Sequence, residues 1–143
     1  MKVVLASDHA AFELKQEIIK YLKSMNYEIV DLGPNSNEPI SYSLQGHKLA
    51  HYLENNQYDL AIGMCGTGLG ISYALNRHKG IRAARCSTTQ DAMLAKMHND
   101  ANVLVLGGRT SSFESAKEMI DTFINTQFEG GRHILRIEQI EEN

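Results

Sequence analysis

The sequence contains few cysteines and few prolines, and these shortages exclude two classes of protein. Its 143 residues include 2 Cys and 2 Pro. Two cysteines are too few for the disulfide framework of a small secreted domain, which favours a reducing compartment. Hydrophobic residues make up 43% of the chain. That proportion, together with so little proline, is typical of a folded globular protein and excludes a disordered one.

Long apolar runs and an excess of positive charge are also absent. No run approaches the ~20 residues that a membrane-spanning helix needs, and the first apolar run reaches Asp8 too early for a signal peptide. Lys plus Arg number 14 and Asp plus Glu number 17, so the net charge is −3. Such a chain has no global attraction for nucleic acid or an anionic membrane. We therefore expect a cytoplasmic protein that binds neither of them.

Short apolar runs alternate with helical patterns along the whole chain. Strands are predicted at residues 2–7, 27–32, 60–64, 81–86 and 102–106. Helices are predicted at residues 10–24, 42–55, 71–75, 89–97, 112–126 and 134–142. This alternation predicts an α/β fold in one domain, residues 1–143. The expected architecture is a three-layer α/β/α sandwich, Rossmann-like, with a mostly parallel five-stranded sheet and an extra C-terminal helix.

Polar residues follow three of the predicted strands, where ligands bind in such folds. Asp8 and His9 follow the first strand, the segment 65–70 follows the third, and Arg109 follows the fifth. His98 instead lies just before the fifth strand. It can reach the same site only if its loop folds over or if it belongs to a neighbouring subunit.

The most distinctive stretch is YDLAIGMCGTGLGIS, residues 58–72. A strand, a glycine-rich turn and a helix start aim backbone N–H groups and the positive end of a helix dipole at one point. The spacing does not fit a dinucleotide fingerprint, because Gly70 comes one place early. No lysine follows Gly70, as a nucleoside-triphosphate loop requires, and Ile71 stands where a cysteine phosphatase would have arginine.

Cys65 therefore stands at the start of a glycine turn that matches none of these phosphate-binding motifs. A thiol near a helix N-terminus favours the thiolate, which acts as a nucleophile or a general base. The same N–H groups could hold an enediolate oxygen, formed when a proton leaves the carbon beside a carbonyl. A buried, unreactive cysteine that packs beneath the turn fits the residues equally well.

Two further groups of polar residues each allow two interpretations. Asp8 and His9 either contribute to the site or cap the first helix. Arg132 and Arg136 are four residues apart and share a helix face, an arrangement that suits a phosphate group. Otherwise they form a solvated basic turn that pairs with Glu129 or Glu138.

The histidines do not predict a metal centre. His9, His98 and Cys65 lack the H-x-x-x-H spacing of a zinc site, and His47, His51 and His78 are expected on solvated helix faces. We therefore predict neither a metal nor a cofactor.

Taken together, the motifs resemble those of ribose 5-phosphate isomerase type B, the family that also holds the galactose 6-phosphate isomerase subunits. They are SDHA at 7–10, CGTGLG at 65–70, GIRA at 80–83, HNDAN at 98–102 and GGRH at 130–133 with Arg136. They occur in the family's order over nearly the whole chain. The resemblance implies a cofactor-free aldose–ketose isomerase that acts on a sugar phosphate, with ribose 5-phosphate and ribulose 5-phosphate as the favoured pair.

The resemblance also assigns roles to residues. Cys65 would move a proton between C1 and C2, Thr67 would help to hold the enediolate, and His9 and His98 would assist ring opening. Substrate binding falls to Asp8, Tyr42, Gly66, Gly68, Gly70, Asn99, Arg109, Arg132 and Arg136. Family members are homodimers or dimers of dimers whose sites are built from two chains, and this would bring His98 to Cys65.

One departure from the family concerns substrate choice. The usual Asp-Tyr-Pro before the second helix is Ser41-Tyr42-Ser43 here. Galactose 6-phosphate and allose 6-phosphate therefore stay open as substrates. The residues are also compatible with a phosphosugar-binding module without chemistry, and with a thiol redox protein in which Cys65 pairs with Cys86.

Overall fold

The computed structural model describes residues 1–142, and all five strands lie in one parallel sheet in the order β2-β1-β3-β5-β4. The strands are β1 (Lys2–Ser7), β2 (Glu28–Asp31), β3 (Leu60–Cys65), β4 (Ala83–Arg85) and β5 (Val103–Gly107). The helices are α1 (Phe12–Ser24), α2 (Tyr42–Asn55), α3 (Leu69–Asn76), α4 (Thr89–Asn99), α5 (Phe113–Asn125) and α6 (His133–Glu138). The predicted α/β fold is confirmed.

Alternate residues of the central strands pack into two separate hydrophobic cores. Val3 and Leu5 of β1 face the core formed with α1, α4 and α5. Val4 and Ala6 face the core formed with α2 and α3. A parallel strand covered by helices on both faces is apolar at every position, which explains why β1, β3 and β5 are continuous apolar runs. The sheet is therefore the middle of three layers.

The fourth strand is shorter than the predicted 81–86, because side chains replace ladder hydrogen bonds at one end. The amide of Asn76 bonds both the N–H and the carbonyl of Ala83. Asn102 accepts from the N–H of Arg82 and donates to the carbonyl of Gly80. These contacts hold the segment before Ala83 as a loop on the edge of the sheet.

The helices also differ from the prediction at their ends. A 3₁₀ turn at His9–Ala11 precedes α1, and another at Gln139–Glu141 follows α6, where one helix over 134–142 was expected. Thr88 and Ser112 cap α4 and α5, since their hydroxyls accept from backbone N–H groups at the starts of these helices. Within residues 1–142, every helix is too short or too polar to serve as a membrane span.

A fully buried lysine fixes the loop that follows β2. The ammonium of Lys15 in α1 lies 2.5 Å from a carboxylate oxygen of Asp31 and 2.9 Å from the carbonyl of Pro34. The same Asp31 oxygen accepts from the N–H of Gly33, whose carbonyl accepts from Ser7 at the end of β1. This network ties the β2 loop to the strand that carries Asp8.

We expect Asp31→Asn to destabilise the protein more than Lys15→Met. Asp31→Asn leaves the buried ammonium without a counter-charge, which costs about 3–5 kcal/mol. Lys15→Met removes the buried charge and leaves Asp31, whose side chain is 28% exposed and can be solvated. Urea unfolding of the two variants measures both free energies. An equal or larger loss for Lys15→Met would show that the ion pair itself, and not the burial of Lys15, dominates.

Candidate active site

The largest group of predicted site residues meets in an open cleft at the carboxyl ends of β1 and β3. These strands are neighbours, but the chain leaves β1 for β2 on one side of the pair and leaves β3 for β4 on the other side. Such a switch point opens a crevice in an α/β sheet. The cleft measures about 440 Å³ and is lined by Asp8, His9, Ala10, Tyr42, Cys65, Gly66, Thr67, Leu69, Gly70, Tyr73 and Arg109.

Cys65 is the last residue of β3, and it is 4% exposed at the floor of this cleft. The turn that follows runs through Gly68, which has φ +80° and so adopts the left-handed conformation that glycine tolerates. The helix α3 then begins at Leu69, two residues earlier than predicted, because the Leu69 N–H donates to the Thr67 hydroxyl. The thiol therefore precedes the positive end of a helix, as the sequence predicted.

The turn after Cys65 has bonded carbonyls but unpaired N–H groups within residues 1–142. Its carbonyls are taken, since Gly66 accepts from the Arg109 N–H and Thr67 accepts from the Arg85 guanidinium. The N–H groups of Gly66, Thr67 and Gly68 donate to no acceptor in residues 1–142. Three unpaired donors beside a thiol form an arrangement that can stabilise an oxyanion.

Asp8 and His9 both cap the first helical turn and line the cleft, so the two interpretations of this pair are compatible. Asp8 is buried and accepts from the Ala10 N–H, and its own N–H donates to Met64 of β3. The Ile40 N–H donates to Nδ1 of His9. The Ile40 carbonyl also lies 3.3 Å from Nδ1, so either tautomer of His9 can pair with Ile40, and Nε2 lies on the opposite side of the ring.

Arg109 supplies positive charge to the cleft. Its side chain lies against Gly66, where an added Cβ would come 3.5 Å from both Cδ and a guanidinium nitrogen. The guanidinium pairs with no carboxylate in the part of the chain described. An unpaired guanidinium at the mouth of a cleft is available to an anionic ligand.

Tyr42 reaches the cleft because Gly70 makes room for it. Ser41 caps α2 by accepting from the Leu44 N–H, which places Tyr42 at the first position of the helix. A Cβ on Gly70 would overlap the Tyr42 ring. The structure adds Ala10, Leu69 and Tyr73 to the lining, three residues that the sequence reasoning missed. For Leu69 and Tyr73, the signal that could have identified them is their spacing of four residues on a helix that starts at the glycine turn.

The predicted binding residue Gly68 lies in the turn but is not part of the cleft lining. Four further predicted residues lie outside this cleft, at the other edge of the sheet: His98, Asn99, Arg132 and Arg136. The helix α4 starts beyond the carboxyl end of β4 and ends at Asn99, just before β5 begins. His98 stacks on His133 of α6, with ring centroids 4.6 Å apart and planes 15° apart. Burial and the nearby Arg132 charge lower the pKa of His133. We refer to His98, Asn99, Arg132 and Arg136 as the second group.

The charge of the second group is only partly neutralised. Glu129 lies 3.3 Å from the Arg132 guanidinium and 3.7 Å from Nε2 of His98. Arg132 therefore pairs with Glu129, one of the two partners that the sequence suggested, while Arg136 makes no ion pair within residues 1–142. One exposed guanidinium of the pair thus stays available to a ligand.

The two cysteines cannot form a redox pair with each other. Both are reduced and buried, and they lie in different cores, Cys65 with α2 and α3 and Cys86 with α1 and α4. The β-sheet separates them. Burial raises the pKa of the Cys86 thiol to about 12, so this residue is an inert core thiol at neutral pH.

The expectation that His47, His51 and His78 lie on solvated helix faces is wrong for two of them. His78 has a side chain only 14% exposed, and its Nε2 lies 2.7 Å from Nδ1 of the partly buried His47. Nδ1 of His78 lies 3.1 Å from Glu54. Hydrogen bonds from His51 and His78 lower the pKa of the Glu54 carboxyl.

Known proteins match this chain in both sequence and fold. The family model described as Ribose/Galactose Isomerase matches residues 3–140. Ribose-5-phosphate isomerase B of Escherichia coli K12 is 40% identical over 139 residues, which cover 97% of this chain and 93% of that protein. A putative sugar phosphate isomerase of Rickettsia conorii is 41% identical and covers 96% of both chains.

Two solved structures have the same fold throughout. The crystal structure of a ribose 5-phosphate isomerase from Thermotoga maritima gives a TM-score of 0.97 at 46% identity, covering 99% of this chain and 98% of that one. Ribose-5-phosphate isomerase B from Mycoplasma genitalium, with bound ribulose-5-phosphate, gives 0.90 at 38% identity, covering 97% and 93%. Matched by the family model from residue 3 to residue 140, the chain belongs to the ribose/galactose isomerase family.

Proposed function

We propose that this protein is a sugar-phosphate isomerase that interconverts ribose 5-phosphate and ribulose 5-phosphate, with Cys65 as the base. The observation that carries the proposal is the cleft at the ends of β1 and β3, which places a thiol beside three unpaired N–H groups. Proton transfer next to a carbonyl needs this pairing of a base and an oxyanion site. Relatives about 40% identical over nearly the whole chain carry the name ribose-5-phosphate isomerase B.

In the proposed mechanism, one proton moves between two carbons. The Cys65 thiolate removes the proton from C2 of the open-chain aldose, and the C2–H electron pair forms the C1=C2 bond while the C1 oxygen becomes an oxyanion. The N–H groups of the turn and the Thr67 hydroxyl donate to that oxygen. The thiol then returns the proton to C1, and the proton of the C2 hydroxyl moves to the C1 oxygen as the C2 ketone forms. No oxidant or cofactor is required.

Ring opening must precede this step, since ribose 5-phosphate is mostly cyclic. His9 is suited to it, because Ile40 holds its Nδ1 and the tautomer protonated on Nε2 can donate to the ring oxygen. Asp8 is held beside His9 by the Ala10 N–H. Arg109 extends over the turn, where its charge can contact sugar oxygens or phosphate.

We further propose that the second group completes the cleft of a neighbouring subunit, in a homodimer or a dimer of dimers. His98, Asn99, Arg132 and Arg136 then supply a ring-opening histidine, a sugar contact and the main phosphate contacts. Exposed apolar side chains surround both regions: Tyr42, Leu69 and Tyr73 around the cleft, and Ile134, Leu135 and Ile140 near the arginines. Association of the two surfaces would remove this apolar area from water.

Two broader features of the protein agree with this function. We propose that residues 1–143 are one isomerase domain, since the described residues 1–142 share a single five-stranded sheet. Its two cysteines are unpaired, as expected for a cytoplasmic location.

A comparison of rates tests the substrate assignment. Purified protein is mixed with ribose 5-phosphate, allose 6-phosphate or galactose 6-phosphate under identical conditions, and the ketose product is measured. We expect the largest kcat/KM with ribose 5-phosphate. A preference for a six-carbon sugar would move the assignment within the family, and the Ser41-Tyr42-Ser43 segment beside the cleft would then be the first place to examine. Binding of all three sugars without turnover would identify a phosphosugar-binding module instead.

A further inference from the structure

Three histidines and a glutamate meet where α2 passes the end of α3, apart from both the cleft and the second group. His47, His51 and Glu54 lie on one face of α2, and His78 lies in the turn after α3. His51 and Glu54 are three residues apart and so lie side by side on α2. His78 is 24 residues from Glu54 and meets it only through the packing of α2 against α3, so no sequence motif predicts this cluster.

We propose that His51, Glu54 and His78 bind a zinc ion, with water as the fourth ligand. One donor atom from each residue lies within 4.8 Å of the others. Zn–N and Zn–O bonds of about 2.0–2.1 Å place the ligands of a tetrahedral ion roughly 3.3 Å apart. Because His51 is 66% exposed and Glu54 is 38% exposed, a change in their rotamers can close this difference. Two imidazoles, one carboxylate and one open position form a donor set typical of zinc.

The orientation of the rings supports one metal site and argues against a second. An imidazole binds a metal through a lone pair in its ring plane, so one ion must lie in the planes of both rings. The planes of the His51 and His78 rings are 87° apart and therefore intersect, so one ion can lie in both planes. His98, Glu129 and His133 also lie close together. However, the His98 and His133 rings are stacked at 15°, and one ion cannot lie in both planes.

His47 contacts the ring nitrogen of His78 that does not face Glu54, and so it can fix the orientation of the His78 ring. Nδ1 of His78 faces Glu54 and its Nε2 faces Nδ1 of His47 at 2.7 Å. With Nδ1 on the metal, Nε2 of His78 carries the proton and donates it to His47. Metal-binding histidines usually have such a partner on the second nitrogen, which fixes the tautomer and the ring orientation.

The backbone that carries these residues is held rigidly. At Gly46, α2 approaches α3 so closely that an added Cβ would lie 2.8 Å from Cβ of Ala74. The His78 N–H donates to Leu75, and the His78 carbonyl accepts from Ile81. The donors are therefore presented by two packed elements, and a bound ion would cross-link α2 to α3.

Zinc titration of the chelator-treated, full-length protein tests the proposal. We expect one zinc ion per chain by isothermal titration calorimetry at this site, together with a rise in Tm. His51→Gln and Glu54→Gln should each lose that equivalent. His47→Gln should bind about 10- to 100-fold more weakly, because it removes only the orienting contact. Magnesium should not bind, since it prefers oxygen ligands.

Two variants serve as matched controls. His98→Gln disrupts the other His-Glu-His cluster and Cys65→Ala removes the cleft thiol, and both should keep the zinc equivalent. His51→Gln should keep wild-type turnover, because His51 neither lines the cleft nor belongs to the second group. The proposal is wrong if wild-type protein binds no zinc, or if His51→Gln and Glu54→Gln bind it as wild type does. Loss of binding in His98→Gln alone would assign the ion to the other cluster and also overturn it.

Discussion

Replacement of Cys65 by alanine is expected to lower kcat by about 10²- to 10⁴-fold, the contribution typical of a positioned general base. Cys65 is the only titratable group that lies both on the floor of the cleft and beside the unpaired N–H groups of the turn, within residues 1–142. Alanine removes the base and leaves the turn, Arg109 and the second group in place. Substrate binding should therefore persist. Steady-state rates and calorimetric titration with ribose 5-phosphate measure the two effects separately.

Cys86→Ala is the matched control for this experiment. It removes the other thiol of the chain, which lies in the opposite core with its pKa raised by burial. Its turnover should equal that of the wild type. Near-normal turnover of Cys65→Ala would assign the base to another residue, and His9 would be the next candidate. Loss of binding along with turnover would indicate a structural role for Cys65 beneath the turn.

Mixing two inactive variants is expected to restore activity if each site is shared between chains. Cys65→Ala damages the cleft, and Arg136→Ala damages the second group of residues. Consider a dimer that contains one chain of each variant and in which each site uses both chains. One of its sites then combines both defects, and the other site is intact. A heterodimer selected with two different affinity tags should thus show about half of the wild-type turnover. Each parent homodimer should stay inactive.

The same heterodimer distinguishes a shared site from a site contained in one chain. If His98 and Arg136 reached the cleft of their own chain, every site in the mixed protein would carry a defect, and it would be as inactive as its parents. Arg136 is exposed, so its replacement should not disturb the fold. Circular dichroism of both parents provides that check.

The sequence alone was enough to predict the layers of the fold and half of the candidate site. Buried parallel strands are continuous apolar runs, and that local pattern identified β1, β3 and β5. Because ligands bind at the carboxyl ends of such strands, the positions of Asp8 and Cys65 could be predicted without knowing any contact. The turn at Gly66 to Gly68 could also be predicted from the sequence, since its geometry depends on adjacent residues.

Contacts between distant segments could not be predicted in this way. The helical pattern alone does not show that Lys15, a charged residue, is buried. Only the packing of α1 against β2 buries its ammonium next to Asp31. His47 and His78 are 31 residues apart and meet because Gly46 lets α2 approach α3. Periodicity gives the face of a helix on which a residue lies but does not identify the opposing element.

Proton exchange with solvent tests most directly the central claim, that Cys65 moves a proton at C2 of the sugar. Ribose 5-phosphate is incubated with the enzyme in D₂O and its C2 position is followed by NMR. We predict ribulose 5-phosphate formation by the wild type, with deuterium entering C2 of the ribose 5-phosphate pool through the reverse reaction whenever the Cys65 thiol exchanges its proton with D₂O before returning it. Both processes should be about 10²- to 10⁴-fold slower in Cys65→Ala. Isomerisation or C2 exchange by Cys65→Ala at the wild-type rate would contradict the claim.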